Sequence, residues 1–365
     1  MFIHQHQNWT NFRWESEKLL NLLAEVRNIQ GRLLGKMQAW GFDLQAEAML
    51  DMLTLEITKS SEIEEEYLIW EQVRSSVARR LGMNWAINAE SSREVEGFVE
   101  IILDATQKCE EILTTDRLFD WHCALFPTNR KGIYNIKVGQ WRDDAKGYMQ
   151  VVSGRIGKEI VHFQAPEAAR IEAEMRQFLH EFNAKDELDS LLKAAIFHFW
   201  FVTIHPFEDG NGRIARVLTE MLLARSDKSS QRFYSMSAQI RIERKQYYEI
   251  LEATQKGNGD ITAWLSWFLN CLKSALLETD ILLAKVLQKA AFWNKYAQIG
   301  LNERQKSLLN RLLEGFDGKL SSAKWAKIAK CSADTALRDI QDLIGKGILQ
   351  KTSEGGRSTN YVLSS

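Results

Sequence analysis

What most restricts the fold of this chain is how rarely proline interrupts it. Only Pro127, Pro166 and Pro206 occur in 365 residues. Proline removes a backbone donor and clashes with the preceding turn, so its scarcity lets helices run long. The apolar pattern uses that freedom. Leu19, Leu20, Leu22, Leu23, Val26 and Ile29 recur at helical spacing, as do Met49, Met52, Leu53 and Ile57, so residues 17–58 are read mostly as helix. A second periodic run covers 94–125, and a third begins at 167 and continues, with loops, to about 292. Between them the character changes. "MQVVSG" (149–154) and "EIVHFQ" (159–164) are β-branched and aromatic-containing around Arg155-Ile156-Gly157-Lys158, which reads as a hairpin.

The last 65 residues read as a separate unit. "LNERQKSLLNRLLE" is an amphipathic helix with Asn302 at its N-cap, and two short helices follow, the second from Ser332 to near Gly345. Two strands around Gly355-Gly356 close the chain. That outline matches a winged helix, a fold used to read DNA. From Asn302 onward eleven Lys and Arg face seven Asp and Glu, a mild positive bias, while Asp334, Asp339 and Asp342 on the helix beside Thr335 and Arg338 would repel phosphates. DNA binding, protein docking and homodimerisation all stay open for residues 300–365.

The net charge of -1 argues against coating of nucleic acid or an anionic membrane by bulk charge. Cys109, Cys123, Cys271 and Cys331 are scattered without a CxxC pair, which fits a reduced, intracellular chain. The start, MFIHQHQNWTN, lacks the apolar core of a signal peptide, and no uncharged run is long enough to span a membrane. A cytoplasmic location is expected. His4 and His6 read as part of a flexible surface tail rather than a metal site.

"TIHPFEDGNGRIARVL" (203–218) concentrates more chemistry than a core or an ordinary loop needs. Gly210 and Gly212 permit a tight turn and close backbone approach to a ligand. The helix-forming "RIARVLTEMLLAR" that follows puts this turn at a helix N-terminus, where unpaired N–H groups and the dipole favour phosphate. Arg213 and Arg216, three apart, would clamp phosphate oxygens from one face. Asp209 offers a hard oxygen for Mg²⁺, and His205 can take a proton near neutral pH. Singly, a histidine before a helix, a GxG loop or an arginine pair is ordinary. Together they are what phosphoryl or nucleotidyl transfer requires.

The stretch resembles the Fic family signature H-x-F-x-[DE]-G-N-G-R-x-x-R, matched at every fixed position from His205 to Arg216. The resemblance implies a mainly α fold: an all-helical core with a small β-hairpin flap, here followed by a C-terminal winged helix. It also implies transfer of AMP from ATP, with Mg²⁺, to a Ser, Thr or Tyr of a target protein. His205 would be the general base, Asp209 the metal ligand, and Asn211 would orient the α-phosphate. Gly210 and Gly212 would form the anion cradle, Ile214 and Ala215 would continue the nucleotide-binding stretch, and Arg213 and Arg216 would hold the β- and γ-phosphates. Phe207 would anchor the loop. Members resembling the phosphorylating branch carry Lys at the place of Gly212, so glycine here favours adenylyl transfer.

Upstream, "TKSSEIEEEY" (58–67) resembles the inhibitory motif [ST]-x-x-x-E-[GN], with Ser60 first and Glu64 as the glutamate. The resemblance implies that Glu64 pairs with Arg216 and blocks seating of the γ-phosphate. Glu65 stands where the family has Gly or Asn, and a third acid, Glu66, follows. The hairpin would pair with an extended target segment. Tyr248, and Tyr247 with it, would contact the nucleoside. The expected domains are a helical region over 1–95, a Fic core over 96–295 and the winged helix over 300–365. A nucleotide-sensing DNA-binding regulator, removal of AMP by water positioned on Glu64, and transfer of another group are the alternatives.

Overall fold

The computed structural model describes residues 1–39, 41–83, 89–131, 134–145, 147–153, 160–185, 187–313, 319–352 and 360–364. The chain forms two compact units, Met1–Asp280 and Ile281–Ser365.

In the first unit, α1 (Ser16–Gln38), α2 (Phe42–Ile63) and α3 (Trp70–Arg80) lead into α4 (Arg93–Gln107) and α5 (Thr115–Leu125). Two small antiparallel pairs follow: β1 (Arg130–Lys131) with β2 (Tyr134–Asn135), and β3 (Gln150–Ser153) with β4 (Ile160–Gln164). The second pair is the hairpin anticipated at 149–164; its turn, Arg155 to Lys158, lies outside the described residues. Then come α6 (Ala168–Asn183), α7 (Ser190–Ile204), α8 (Asn211–Asp227), α9 (Met236–Ile242), α10 (Arg244–Gln255) and α11 (Thr262–Lys295), whose residues from Ile281 onward belong to the second unit. The mainly helical architecture with a small strand pair is the one expected.

Helix α7 is the centre. Every residue from Leu191 to Ile204 is buried, so the helix needs no polar face, and Asp189 caps it by accepting from the Leu191 amide. Phe199, Phe201 and Ile204 are wholly enclosed, each contributing about 1.5–3 kcal/mol by burial. Helix α8 returns antiparallel to α7 after a short loop and also contacts α2 and α4. That hairpin of helices carries the 205–216 loop at its bend.

Charged groups fix the other end of α8. The Arg232 guanidinium bonds Glu220 at 2.8 Å and also Asp227, and all three side chains are about 1% exposed. Gln30 of α1 donates to Asp227, while Arg27 bonds Asp189 twice, Ser190 and Ser226. A buried charge left unpaired is costly, so these contacts define how α1 seats on α7 and α8.

The N-terminus departs from expectation. Instead of lying in a flexible tail, His4 is 5% exposed, with Nε2 2.7 Å from the Gln164 carbonyl and its ring against Phe163. Trp9 continues the strap, bonding Glu174 and meeting Trp200 edge-on. The apolar neighbours of His4 and His6 in sequence gave too little periodicity to show this docking.

In the second unit, α12 (Glu303–Leu313), α13 (Ser322–Ile328) and α14 (Ala333–Gly345) precede β5 (Leu349–Lys351) and β6 (Tyr361–Leu363). Leu308, Leu309, Trp325, Ile340 and Leu343 form its core. Asn302 accepts from the Gln305 amide while its own amide donates to Gln305, a reciprocal capping box. Ser332 caps α14 as expected. The Gly355-Gly356 turn lies outside the described residues. Asp339, expected to face a phosphate, is instead turned inward onto Arg304 and Asn302, and Asp342 is paired with Lys346 and Gln305. The acidic repulsion anticipated for α14 is therefore offset at Asp339 and Asp342, while Asp334 stays exposed in its first turn.

Candidate active site

The loop between α7 and α8 is built on two left-handed residues. His205 ends α7 at φ 53°, and Gly210 starts α8 at φ 78°. At Gly210 a Cβ would lie 2.8 Å from the Phe126 ring and 2.9 Å from Leu125, so both conformation and space require glycine. The first intrahelical bond runs from the Ile214 amide to the Gly210 carbonyl at 2.9 Å. The amides of Asn211, Gly212 and Arg213 are thus the helix's first-turn donors, oriented for an anion.

Asn211 is buried and staples this loop. Its Oδ1 accepts from the Phe207 amide at 3.0 Å, and its Nδ2 donates to the Phe207 carbonyl at 2.8 Å. The staple uses one of the two amide hydrogens, so contact with an α-phosphate would rest on the other. Phe207 is fully buried, stacked on His122 with ring centroids 4.1 Å apart, as an anchor should be. Ile214 and Ala215 have side chains wholly in the core. They support the cradle from behind rather than touching a ligand with their side chains.

His205 is partly exposed at the loop's mouth. Its Nδ1 lies 3.3 Å from the Val202 carbonyl, an acceptor, so Nδ1 carries the hydrogen and Nε2 keeps its lone pair. Burial lowers the imidazole's pKa to about 4, against the opposing pull of that hydrogen bond. At neutral pH the ring is an uncharged proton acceptor.

Two residues absent from the sequence expectations hold this histidine's surroundings. Arg142, 3% exposed, donates from Nε to the His205 carbonyl at 2.7 Å and from Nη2 to the Pro166 carbonyl, while its own amide reaches the Pro206 carbonyl. His122 accepts from the Gly139 amide at Nδ1, so its Nε2 donates to the Asp209 carbonyl at 3.2 Å. Burial lowers the His122 pKa to about 4. Neither belongs to a local motif; an isolated arginine between a hairpin and a loop carries no sign of its destination.

Asp209 accepts from the Gly210 amide at 2.6 Å. Among the described residues no cluster of three or more His, Cys, Asp or Glu is placed to cage a metal. A single carboxylate beside an anion cradle fits Mg²⁺ held mostly by a ligand's phosphates.

Ser60 and Glu64 both reach Arg216. The guanidinium donates from Nε to Ser60 Oγ at 2.8 Å, and from Nη2 to the Ser60 carbonyl at 2.9 Å and Glu64 Oε1 at 2.8 Å. Arg216 is 2% exposed but Glu64 is 28% exposed. A Cβ on residue 212 would fall 2.2 Å from Glu64 Oε1, so the second glycine is also the space that the glutamate occupies.

The helix end that delivers Glu64 explains Glu65. The Glu65 amide bonds the Glu62 carbonyl and the Glu66 amide bonds the Ser61 carbonyl, a Schellman ending that needs a left-handed residue. Glu65 takes that conformation at φ 62°, which costs roughly 1–2 kcal/mol for a residue with a Cβ. Its carboxylate points outward, 69% exposed, 3.0 Å from Arg244. The position that resembles a family Gly or Asn is thus filled by a strained glutamate whose charge leaves the site.

Tyr247 is 2% exposed, with its hydroxyl 2.9 Å from His198 and its ring among Trp264 and Trp267. It forms a wall rather than a ligand-facing surface. Tyr248 is 37% exposed and has the Arg244 guanidinium over its ring. On the flap, His162 is 2.7 Å from Glu252 of α10, and Val152, Ile160 and Val161 are exposed.

Comparisons agree with this geometry. A family model described as the Fic/DOC family matches residues 112–223, and a domain of unknown function (DUF4172) matches residues 2–83. Protein adenylyltransferase Fic of Drosophila mojavensis is 33% identical over 104 residues, 28% of this chain and 19% of that protein. The protein of the same name from Nematostella vectensis is 32% identical over 113 residues, 30% of this chain and 25% of that one. The match therefore spans a quarter or less of these relatives' length. Among solved structures, a Fic family protein from Desulfovibrio desulfuricans G20 superposes with a TM-score of 0.54 at 22% identity, covering 95% of both chains. A Fic domain-containing signaling protein from Bacteroides thetaiotaomicron gives 0.54 at 21%, covering 73% of this chain and 97% of that one. Loop and family match lead to one conclusion: residues 112–223 of this chain are a Fic domain.

Proposed function

We propose that the chain transfers AMP from ATP to a hydroxyl of a target protein, and that Glu64 restrains it. The observation that carries this reading is a neutral imidazole with a free Nε2 at the mouth of a glycine-capped helix N-terminus that also presents two arginines. The relatives named protein adenylyltransferase support it.

In the proposed reaction the triphosphate lies on the Asn211, Gly212 and Arg213 amides, with Arg213 and Arg216 on the β- and γ-phosphates. His205 Nε2 takes the target hydroxyl's proton as that oxygen attacks the α-phosphorus. The bond from α-phosphorus to the bridging oxygen breaks, and pyrophosphate leaves with the electron pair. Mg²⁺, when bound at Asp209, would offset charge on the phosphates. Among the described residues β3 and β4 pair only with each other, and since His4 bonds the Gln164 carbonyl of β4, β3 keeps the more open outer edge for a target segment, near exposed Val152, Ile160 and Val161. Among the described residues no helix is long and apolar enough to cross a membrane.

Labelling distinguishes the reaction. ATP labelled at the α-phosphate should mark protein, ATP labelled at the γ-phosphate should not, and His205→Ala should remove the mark. Label arriving from the γ-position, or surviving in His205→Ala, contradicts the proposal.

A second role is proposed for the C-terminal unit on one observation: with Asp339 and Asp342 paired internally, α14 presents Arg338 to solvent and Thr335 partly so. DNA contact through this helix predicts affinity that falls steeply with salt; a flat salt response contradicts it.

A further inference from the structure

We propose that Glu66 is a second inhibitory acid, withholding Arg213 from the β-phosphate as Glu64 withholds Arg216 from the γ-phosphate. This rests on the reading of the loop as a nucleotide site, and deepens it.

The Schellman turn at the end of α2 places three consecutive carboxylates on three different arginines. Glu64 meets Arg216, Glu65 meets Arg244 and Glu66 meets Arg213 at 2.5 Å. The left-handed residue between them turns the chain so that the acids on either side both face α8. Arg213 is 5% exposed, its guanidinium 4.9 Å from the centre of the Phe126 ring. Glu66 is its one carboxylate partner among the described residues, and its Nε and Nη2 have no acceptor there. A buried guanidinium with unmet donors binds strongly whatever anion reaches it.

Glu66 is also placed to leave. Its side chain is 31% exposed and borders a cavity of about 560 Å³ shared with Ser61, Thr128, Arg130 and Arg213. Displacing this carboxylate therefore requires no repacking of core. Removing Glu64 alone would free Arg216 and leave Arg213 occupied, so the two acids act as separate restraints on two phosphates.

ADP separates them because it has a β-phosphate and no γ-phosphate. Calorimetric titration of the full chain with ADP should show Glu66→Gln binding about tenfold tighter than the unsubstituted protein, equivalent to about 1.4 kcal/mol. Glu64→Gly should shift ADP affinity by less than about threefold, and Glu64→Gly with Glu66→Gln should transfer AMP faster than Glu64→Gly alone. Unfolding midpoints of the variants report any general loosening. If nucleotide binds but Glu66→Gln matches the unsubstituted protein, the second restraint is overturned and the functional reading stands. If no variant binds ADP or ATP, the functional reading falls and this proposal with it.

Discussion

The two ends of α8 both carry buried arginine–carboxylate pairs, yet they are built for opposite purposes. At the C-terminal end, Arg232 is closed in with Glu220 and Asp227, each about 1% exposed. At the N-terminal end, Arg216 and Arg213 are buried, but their acids, Glu64 and Glu66, are 28% and 31% exposed. An acid with access to water can withdraw and let another anion take its place. An acid without it must stay, because the guanidinium left behind would be an uncompensated buried charge. Accessibility of the carboxylate, rather than burial of the arginine, marks the exchangeable pairs.

Substitutions can break that contrast, beginning with the largest effect. Arg232→Ala should cost about 3–5 kcal/mol of folding stability in urea titration, as loss of a buried partner does. Arg216→Ala should cost less than half as much while abolishing measurable AMP transfer. Equal stability losses would mean that the two ends are not distinct. Next, Glu64→Gly should raise the transfer rate roughly ten- to a hundredfold, the worth of a released charge-assisted bond. Glu220→Gln, at the closed end, should lower stability without raising transfer. An activated Glu220→Gln would defeat the distinction.

A smaller effect is expected from pH. His198, buried between Thr219 and Tyr247, has its pKa lowered by burial to about 3, and His122 and His205 are each lowered to about 4. Below pH 6.5 the unfolded chain binds protons that the folded chain refuses, so stability falls as pH drops. The slope is at most about 1.4 kcal/mol per pH unit per histidine. Glu220 opposes this. Burial pushes its carboxyl up to about 7, so it protonates in the folded state first and gains stability on acidification. With His4, also lowered by burial, four histidines stand against two raised acids, Glu220 and Asp227, which predicts a net loss between pH 6.5 and 5, measurable by urea unfolding at both values. Stability that is unchanged or higher at pH 5 would contradict the assignments. Transfer itself should persist at pH 6, since His205 remains neutral there.

The smallest effect tests the hinge between the two exchangeable acids. Glu65→Gly relieves the left-handed strain at φ 62° and gives up an exposed pair with Arg244. A stabilisation below about 1 kcal/mol, with slightly slower transfer, is expected. Faster transfer would show that Glu65 reinforces the restraint rather than strains it.

How much of this was legible in sequence follows from distance along the chain. Gly210, the caps at Asn302 and Ser332, and the strand pair at 150–164 depend on neighbours within a few residues, and they appeared as expected. Ser60 and Glu64 were legible only through the family pattern; their partner lies more than 150 positions away. Arg142 and His122 had neither periodicity nor pattern to mark them, because their roles come from carbonyls and amides supplied by other elements. The docking of His4 and the inward turn of Asp339 were lost for the same reason. Polar residues read as solvated until tertiary structure brings a partner.

The central claim is that His205 drives adenylyl transfer at a site that accessible acids hold shut. Intact-mass measurement of Glu64→Gly and of Glu64→Gly with His205→Ala, each incubated with ATP, Mg²⁺ and a cell extract fraction, tests it most directly. The account predicts a gain of one AMP on the chain or on a target with the first, and none with the second. An equal gain with both, or a phosphate-sized gain with either, would contradict it.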